Sequence, residues 1–450
     1  LLDYPEKDLG TWPKNDIGNA TQFVAHFGAE LKYVHRWQSW CVWDGLRWKK
    51  SGEGDTPAIQ RATKLIEAWR QDSDREVEEW GWKCGTRARI ASMIGLAQSS
   101  QEISADPADF DKDPWQLSTK SGVYNLRTGE NEGVNRAFMC TRIAPFEVAP
   151  RGTKAPKFMA FMNAICLGDE GLQMALLRWL GYCLTGVTSE QKFAIGVGVG
   201  KNGKTTLASL ISQLLGDYAG DMPSSMLLTS QIDKGTSGLE ALNGKRFVTC
   251  EEPDRKKELD REFIKRIVSG EPLQVSQKYE KPYDMRVPFK LFLMANHKPR
   301  VEFDLAFSRR VHLFPFRYRV PDDQTNVNLV GELIEEEGPA ILRLLIDECL
   351  VWQELGLGKS ETMATALESY REDFDPVATF IEERCRVGEY EYVRVSNLMT
   401  AYNLWAKNER VPALNRNSLR DALMAKGFEM SKMGDDKLKH WVGLSLVHDA

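Results

Sequence analysis

The stretch GVGVGKNGKTT (Gly196–Thr206) holds the spacing Gly198-x-x-x-x-Gly203-Lys204-Thr205. Glycines at 198, 200 and 203 let backbone N–H groups wrap a polyphosphate at the start of a helix. Lys204 is placed to reach the β- and γ-phosphates of ATP, and the Thr205 hydroxyl to hold Mg2+. Asn202 and Thr206 complete the candidate nucleotide contacts. A second chemical stretch is FVTCEEPD. There the acids Glu251 and Glu252 end an apolar run. On an extended strand both cannot face one metal, so Glu251 is expected to hold Mg2+ through water. Glu252 is then the residue that orients or activates the attacking water. A third is KLFLMANHKPR, where a buried-looking run delivers Asn296. Its neutral amide can donate to a γ-phosphate and hold a water, where an acid would repel the phosphate. The fourth is SRRVHLFPF. Arginine suits charge on a transferring phosphoryl group, often across a subunit boundary. Arg310 is the first candidate for that role and Arg309 the alternate.

These side chains need strands to carry them. Phe193 to Gly198 is an apolar strand ending in glycines, and Thr205 to Gly216 reads as the helix that follows. Lys245–Glu252, Lys290–Asn296 and Arg310–Phe316 read as further strands. Apolar strands alternating with helices imply a parallel sheet covered on both faces. Ligands then collect at the carboxyl ends of the strands. Upstream, Trp37 to Lys50 reads as a hairpin around a two-residue Asp44-Gly45 turn. Gly122 to Glu130 reads as a second hairpin, and 58–70 and 86–98 have helical periodicity. Downstream, 329–352 reads as two helices, with Pro339 opening the second. Past Asp375-Pro376 come a helix at 395–402, a helix ending at Gly427, and strands near 428–432 and 440–447. That is the order of a winged helix.

Composition sets bounds. The chain has 450 residues, 42% hydrophobic and 27% charged, with net charge −5. That is ordinary globular composition, and any contact with DNA must be concentrated in local basic patches. The eight cysteines form no Cys-x-x-Cys pair, which argues against zinc and against a disulfide scaffold. No run approaches the ~18 apolar residues of a membrane span. No secretory leader stands out, so a cytoplasmic setting is expected, in the host cell if a phage or mobile element encodes the chain. Leu1 in place of methionine is the mark expected of a piece of a longer protein.

The ordered set of lysine loop, strand-Glu-Glu, strand-Asn and arginine pair resembles the superfamily 3 helicases of viruses and mobile elements, which are AAA+-like ring ATPases. More closely, the chain resembles the helicase part of phage, plasmid and poxvirus-type primase-helicases. LGYCLTG (Leu180–Gly186), LNGKRFVTCEE (Leu242–Glu252), LFLMANHKP (Leu291–Pro299) and RRVHLFPF carry the likeness in the centre. CVWDGLRW and SGVYNLRTGE carry it upstream, DPVATFIEERC and WVGLSL downstream. The resemblance implies a P-loop AAA+-like core over 151–320, after a mainly helical α+β helicase-associated domain over 1–150. A helical lid or linker at 321–374 and a winged-helix domain at 375–450 follow. It implies a homo-hexamer that unwinds single-stranded or forked DNA with ATP, plus replication partners and an upstream primase domain. It also implies a pore loop, where Lys278 and Lys281 flank Tyr279 and can touch phosphates and bases in turn. Gly270-Glu271 stands where the family often has Gly-Asp. In the winged helix, Arg416, Arg420, Lys432, Lys437 and Lys439 are candidate DNA contacts.

Two other readings compete. A priming polymerase within these residues would need metal-binding acids, for which Asp111 and Asp113 are the nearest candidates. A turn before Pro114 is the plainer reading of that stretch. An ATP-switched assembly or origin-binding protein would bind nucleotide without unwinding. The Glu251-Glu252 and arginine pairs weigh against it, because a pure switch does not need them.

Overall fold

The computed structural model describes residues 12–52, 54–229, 238–251, 258–275, 283–301, 305–321, 323, 325–373, 375–409, 413–433 and 438–447. Near the N-terminus lie helices α1 (Asp16–Phe27), α2 (Thr56–Arg70), α3 (Arg75–Cys84) and α4 (Arg87–Gln98). They pack beside strands β1 (Leu31–Val34), β2 (Ser39–Trp43), β3 (Trp48–Lys50) and β4 (Ser104–Ala105), in the order β3-β2-β1-β4. Side-chain oxygens of Asn15, Asp74 and Thr86 cap α1, α3 and α4, satisfying N–H groups that a helix cannot pair internally. Phe23, Trp40, Leu65, Trp69 and Met93 are buried between these elements. The β2–β3 turn differs from the two-residue turn expected. Trp43 stands opposite Trp48, so four residues make the turn. The Asp44 carboxylate accepts the N–H groups of Leu46 and Arg47, each at 2.9 Å. That local acceptor stabilises the wider turn. β5 (Gln116–Thr119), β6 (Gly122–Asn125) and β7 (Glu130–Asn131) form a separate antiparallel sheet.

The central part begins with α5 (Pro156–Ile165) and α6 (Glu170–Cys183). Then come β8 (Phe193–Val197), α7 (Lys204–Leu215), β9 (Ala219–Asp221), β10 (Phe247–Cys250) and α8 (Arg261–Ser269). An antiparallel pair follows, β11 (Leu273–Val275) with β12 (Tyr283–Met285). β13 (Lys290–Ala295), α9 (Leu305–Ser308) and β14 (Val311–Pro315) complete it. Five strands make one parallel sheet in the order β14-β8-β13-β10-β9. Successive side chains go to opposite faces. Phe292, Met294, Ala194 and Phe314 join the core that contains α6 and α7. Leu291, Leu293, Ile195 and Leu313 join the other core, with Ile264 and Ile267 of α8. Both faces are therefore apolar, which explains the continuous hydrophobic runs. Fully burying one such side chain contributes roughly 2–3 kcal/mol.

α10 (Leu329–Leu355) is one helix with Pro339 inside it, not two helices. Leu333, Ile341, Leu345 and Ile346 are buried in the α6–α7 core. This packing outweighs the hydrogen bond that proline removes. Glu337 accepts the N–H groups of Lys157 and Phe158 at 2.9 and 2.8 Å, capping α5. α11 (Glu361–Asp373) lies against β14. The last part comprises α12 (Pro376–Arg384), β15 (Cys385–Arg394), α13 (Val395–Glu409), α14 (Arg416–Ala425), β16 (Glu429–Met433) and β17 (Leu438–Leu446). Its sheet has the order β15-β17-β16, one strand more than the sequence pattern reveals. All eight cysteines are buried free thiols. Among the described residues, no helix is long and apolar enough to cross a membrane.

Candidate functional site

The loop between β8 and α7 is fixed by close backbone approach. A Cβ on Gly198 would lie 2.0 Å from the Phe316 carbonyl oxygen, and one on Gly203 would lie 2.5 Å from Ile165 Cγ2. Gly203 also has φ of 85°, which favours glycine. No such contact constrains Gly200. The chain after β14 runs alongside the loop. Phe316 N–H donates to Val197 O at 2.7 Å, and Val320 N–H donates to Lys201 O at 2.8 Å. The buried Asn202 amide donates to Phe316 O at 3.3 Å and to Val199 O at 3.4 Å. Asn202 thus pins the loop from within.

Lys204 is buried at the first position of α7. Its ammonium donates to Gly198 O and, at 3.1 Å, to Asn202 Oδ1. These are acceptors that phosphate oxygens can replace. Thr205 is exposed and Thr206 half-buried in the first turn of α7, which has no acid and no side-chain cap. Uncapped N–H groups and the helix dipole favour an anion there. The residues present therefore fit a polyphosphate. Thr205 and Glu251 are the described candidates to hold an accompanying Mg2+.

Two further strands end on the same side. β13 lies between β8 and β10, and Gly198 N–H donates to Ala295 O at 3.1 Å. Asn296, the next residue, therefore lines the same cavity of about 840 Å3 as Gly198 and Lys201. Glu251 follows β10 and is exposed. Thr249 at that strand's end donates to Asp221 of β9. Glu252 lies outside the described residues. Tyr370 of α11 donates to Pro299 O at 2.6 Å, fixing the exit from Asn296.

Arg309 and Arg310 do not join this group. They precede β14, which starts beside Phe193 and ends beside Val197. Five strand steps, about 16 Å, separate Arg310 from the loop end of the sheet. Arg310 Nη1 donates to Ala306 O at 2.6 Å, and its buried Nε has no hydrogen-bond partner. Arg309 is exposed and lines a second cavity of about 540 Å3 with Lys192 and Lys359. His312, also on that cavity, is buried against Trp179 with ring centroids 5.8 Å apart. Burial, and then Lys192 and Lys359, push its pKa down to about 3.

Residues 20–167 match the family described as "D5 N terminal like". Residues 197–310 match one described as "Family of unknown function (DUF5906)". A helicase-named protein of Acanthamoeba polyphaga mimivirus is 24% identical over 265 residues, which is 56% of this chain and 28% of that protein. A helicase-named protein of Frog virus 3 (isolate Goorha) is 21% identical over 285 residues, 58% of this chain and 29% of its own. These matches support a likeness to the D5-like phage and viral primase-helicases. The chain spans less than a third of the length of either viral relative. The apo C-terminal region of NrS-1 shares the fold of this chain. Two of its structures give TM-scores of 0.52 at 10% and 11% identity, covering 95% and 96% of this chain and 99% and 100% of theirs.

Other sequence-derived candidates stand apart from the loop. Lys278, Tyr279 and Lys281 lie outside the described residues, between the paired strands β11 and β12. Lys432 pairs with Lys439 across β16 and β17. Arg416 opens α14, Arg420 is held by Asp421 at 2.7 Å, and Lys437 lies outside the described residues. Asp111 is bound by Arg142 at 2.7 Å and accepts Thr141 N–H at 2.9 Å. Asp113 accepts Trp115 N–H at 2.9 Å. These acids shape turns, and no cluster of three potential metal ligands occurs among the described residues. Sequence reasoning missed Arg317 and Arg319 beside the loop, and Lys192 and Lys359 beside Arg309. The alternation in FRYRV was the available signal for the first pair. Nothing local marked the second.

Proposed function

We propose that this chain is the motor part of a primase-helicase, a superfamily 3, AAA+-like ATPase that unwinds single-stranded or forked DNA as a homo-hexamer. The observation that carries this reading is the parallel sheet, with the β8 loop, Asn296 and Glu251 at the carboxyl ends of its strands and Arg309-Arg310 at the amino end of β14. In it Lys204 exchanges its loop acceptors for phosphate oxygens. Thr205 and Glu251 hold Mg2+, which offsets charge on the β- and γ-phosphates. Glu252 orients the attacking water and Asn296 senses the γ-phosphate. Arg310 or Arg309 stabilises the transferring group in the neighbouring subunit, because neither reaches its own loop. Lys278, Tyr279 and Lys281 track the DNA. The helices and three-stranded sheet of 375–450 serve as a winged helix, and a primase domain precedes the chain. Domain limits near 150, 320 and 374 belong to this proposal.

The test is ATP-dependent strand displacement on forked DNA, with the particle sized by light scattering. Unwinding by a ring-sized species that Lys204→Ala abolishes is the expected result. Undiminished hydrolysis in Lys204→Ala would remove the nucleotide reading. Hydrolysis without strand separation would leave an ATP-switched DNA-binding assembly.

A further inference from the structure

Among the described residues, the cavity of about 840 Å3 beside the loop is lined by four cations, Lys201, Lys298, Arg317 and Arg319, and by no carboxylate. Lys298 is committed elsewhere, to Asp373 at 2.5 Å and Ser369 at 2.8 Å on α11. Arg317 and Arg319 are exposed, and among the described residues neither guanidinium has a hydrogen bond or an ion pair. Their placement follows from the hydrogen bonds of Phe316 and Val320 to Val197 and Lys201, which hold the intervening chain against the loop. Tyr318 packs on the α6–α7 core. Tyr318 and both of its neighbours also line the cavity. Unpaired like charges crowd and repel one another unless an anion joins them.

We infer that Arg317 and Arg319 bind the nucleotide's polyphosphate in the same chain as the loop, from the cavity wall they share with Gly198, Gly200 and Lys201. This rests on the nucleotide reading above and adds two ligand-touching residues to it. Guanidinium groups suit the task, since their planar N–H pairs match phosphate oxygens. The inference also separates two arginine pairs ten or fewer residues apart in sequence. Arg317 and Arg319 act on the chain's own nucleotide, whereas Arg309 and Arg310 point away from it.

Titration calorimetry with Mg2+ and the non-hydrolysable analogue AMP-PNP tests this, with AMP as the short-phosphate comparison. The Arg317→Ala/Arg319→Ala double variant should weaken AMP-PNP binding at least about tenfold and change AMP binding less than about twofold. Arg319→Lys should recover part of the loss. Arg75→Ala, which removes an exposed cation paired with Glu79, should bind as the unmodified chain does. Melting curves check that the variants fold, and Arg317→Gln/Arg319→Gln provides a second double variant. Unchanged AMP-PNP affinity in a folded double variant would overturn the inference, as would equal weakening of AMP-PNP and AMP. If the unmodified chain bound no AMP-PNP, the nucleotide reading itself would fall, and a different row of the same experiment reports that.

Discussion

The two ends of the five-stranded sheet are built on different principles. At the carboxyl end, the shape of the loop is set by backbone. Glycines at 198 and 203 allow contacts that any Cβ would block, and Asn202 spends its amide on carbonyls of the fold. At the amino end, the features are long side chains, Arg309, Lys192 and Lys359, around an open cavity. A backbone-built site recognises its ligand by shape and tolerates little change. A side-chain site can meet a surface brought to it by another molecule. Since the strands are parallel, the loop and the Arg309 cavity stand at opposite ends of the sheet; under the proposed function, a second copy would bring them together.

The largest expected effect tests the backbone end. Gly198→Ala should lower nucleotide affinity about 100-fold, because the new methyl must displace the Phe316 carbonyl or the loop. Calorimetry reads it directly, and an affinity near that of the native chain would break the contrast between the ends. Next comes the amino end. Arg310→Ala and Arg309→Ala should each keep nucleotide affinity, and the variant lacking the acting arginine should lose most of its turnover. Mixing that variant with Lys204→Ala should restore activity at about a quarter of interfaces, where a native Lys204 faces a native arginine. An inactive mixture at every ratio removes action between subunits.

A smaller effect concerns His312. Its native pKa is depressed to about 3 by burial and nearby cations, below the ~6.5 of an exposed histidine. As pH falls below about 6.5, the unfolded chain takes up a proton that the native chain refuses. Stability is therefore complete above that pH and declines toward pH 3, by up to about 1.4 kcal/mol per pH unit. Urea melts of the native chain and His312→Phe at pH 7 and pH 5 should show a steeper acid loss in the native chain. Parallel losses would mean that His312 is protonated without cost. The smallest effect belongs to Lys298, whose pair with Asp373 is partly exposed. Lys298→Ala should cost no more than about 1 kcal/mol of stability, measured by the same melts.

The carboxyl end was legible because its signals are local. A glycine-spaced lysine after an apolar strand and an asparagine closing another apolar strand both declare themselves within about ten residues. The amino end was legible only as an arginine pair. Lys192 and Lys359 reach that cavity from connections far apart in sequence, before β8 and between α10 and α11, and no periodicity links them. Pro339 misled for a related reason. A local breaker signal predicts a helix start, yet packing against α6 and α7 carries α10 straight through. Asp44-Gly45 misled on a smaller scale, since the turn's width is set by where the Asp44 carboxylate finds its donors. β15 escaped notice because most of its residues are exposed, so it lacks the apolar alternation that marks a strand.

The segment strapped along the loop has one more consequence. The amide protons of Phe316 and Val320 are both held by carbonyls of the β8–loop segment, one just before the loop and one within it. Their exchange with deuterium is therefore a clock built into the chain. It ticks only when the strap lifts, and its rate with and without nucleotide reports how often the loop opens, with no substitution.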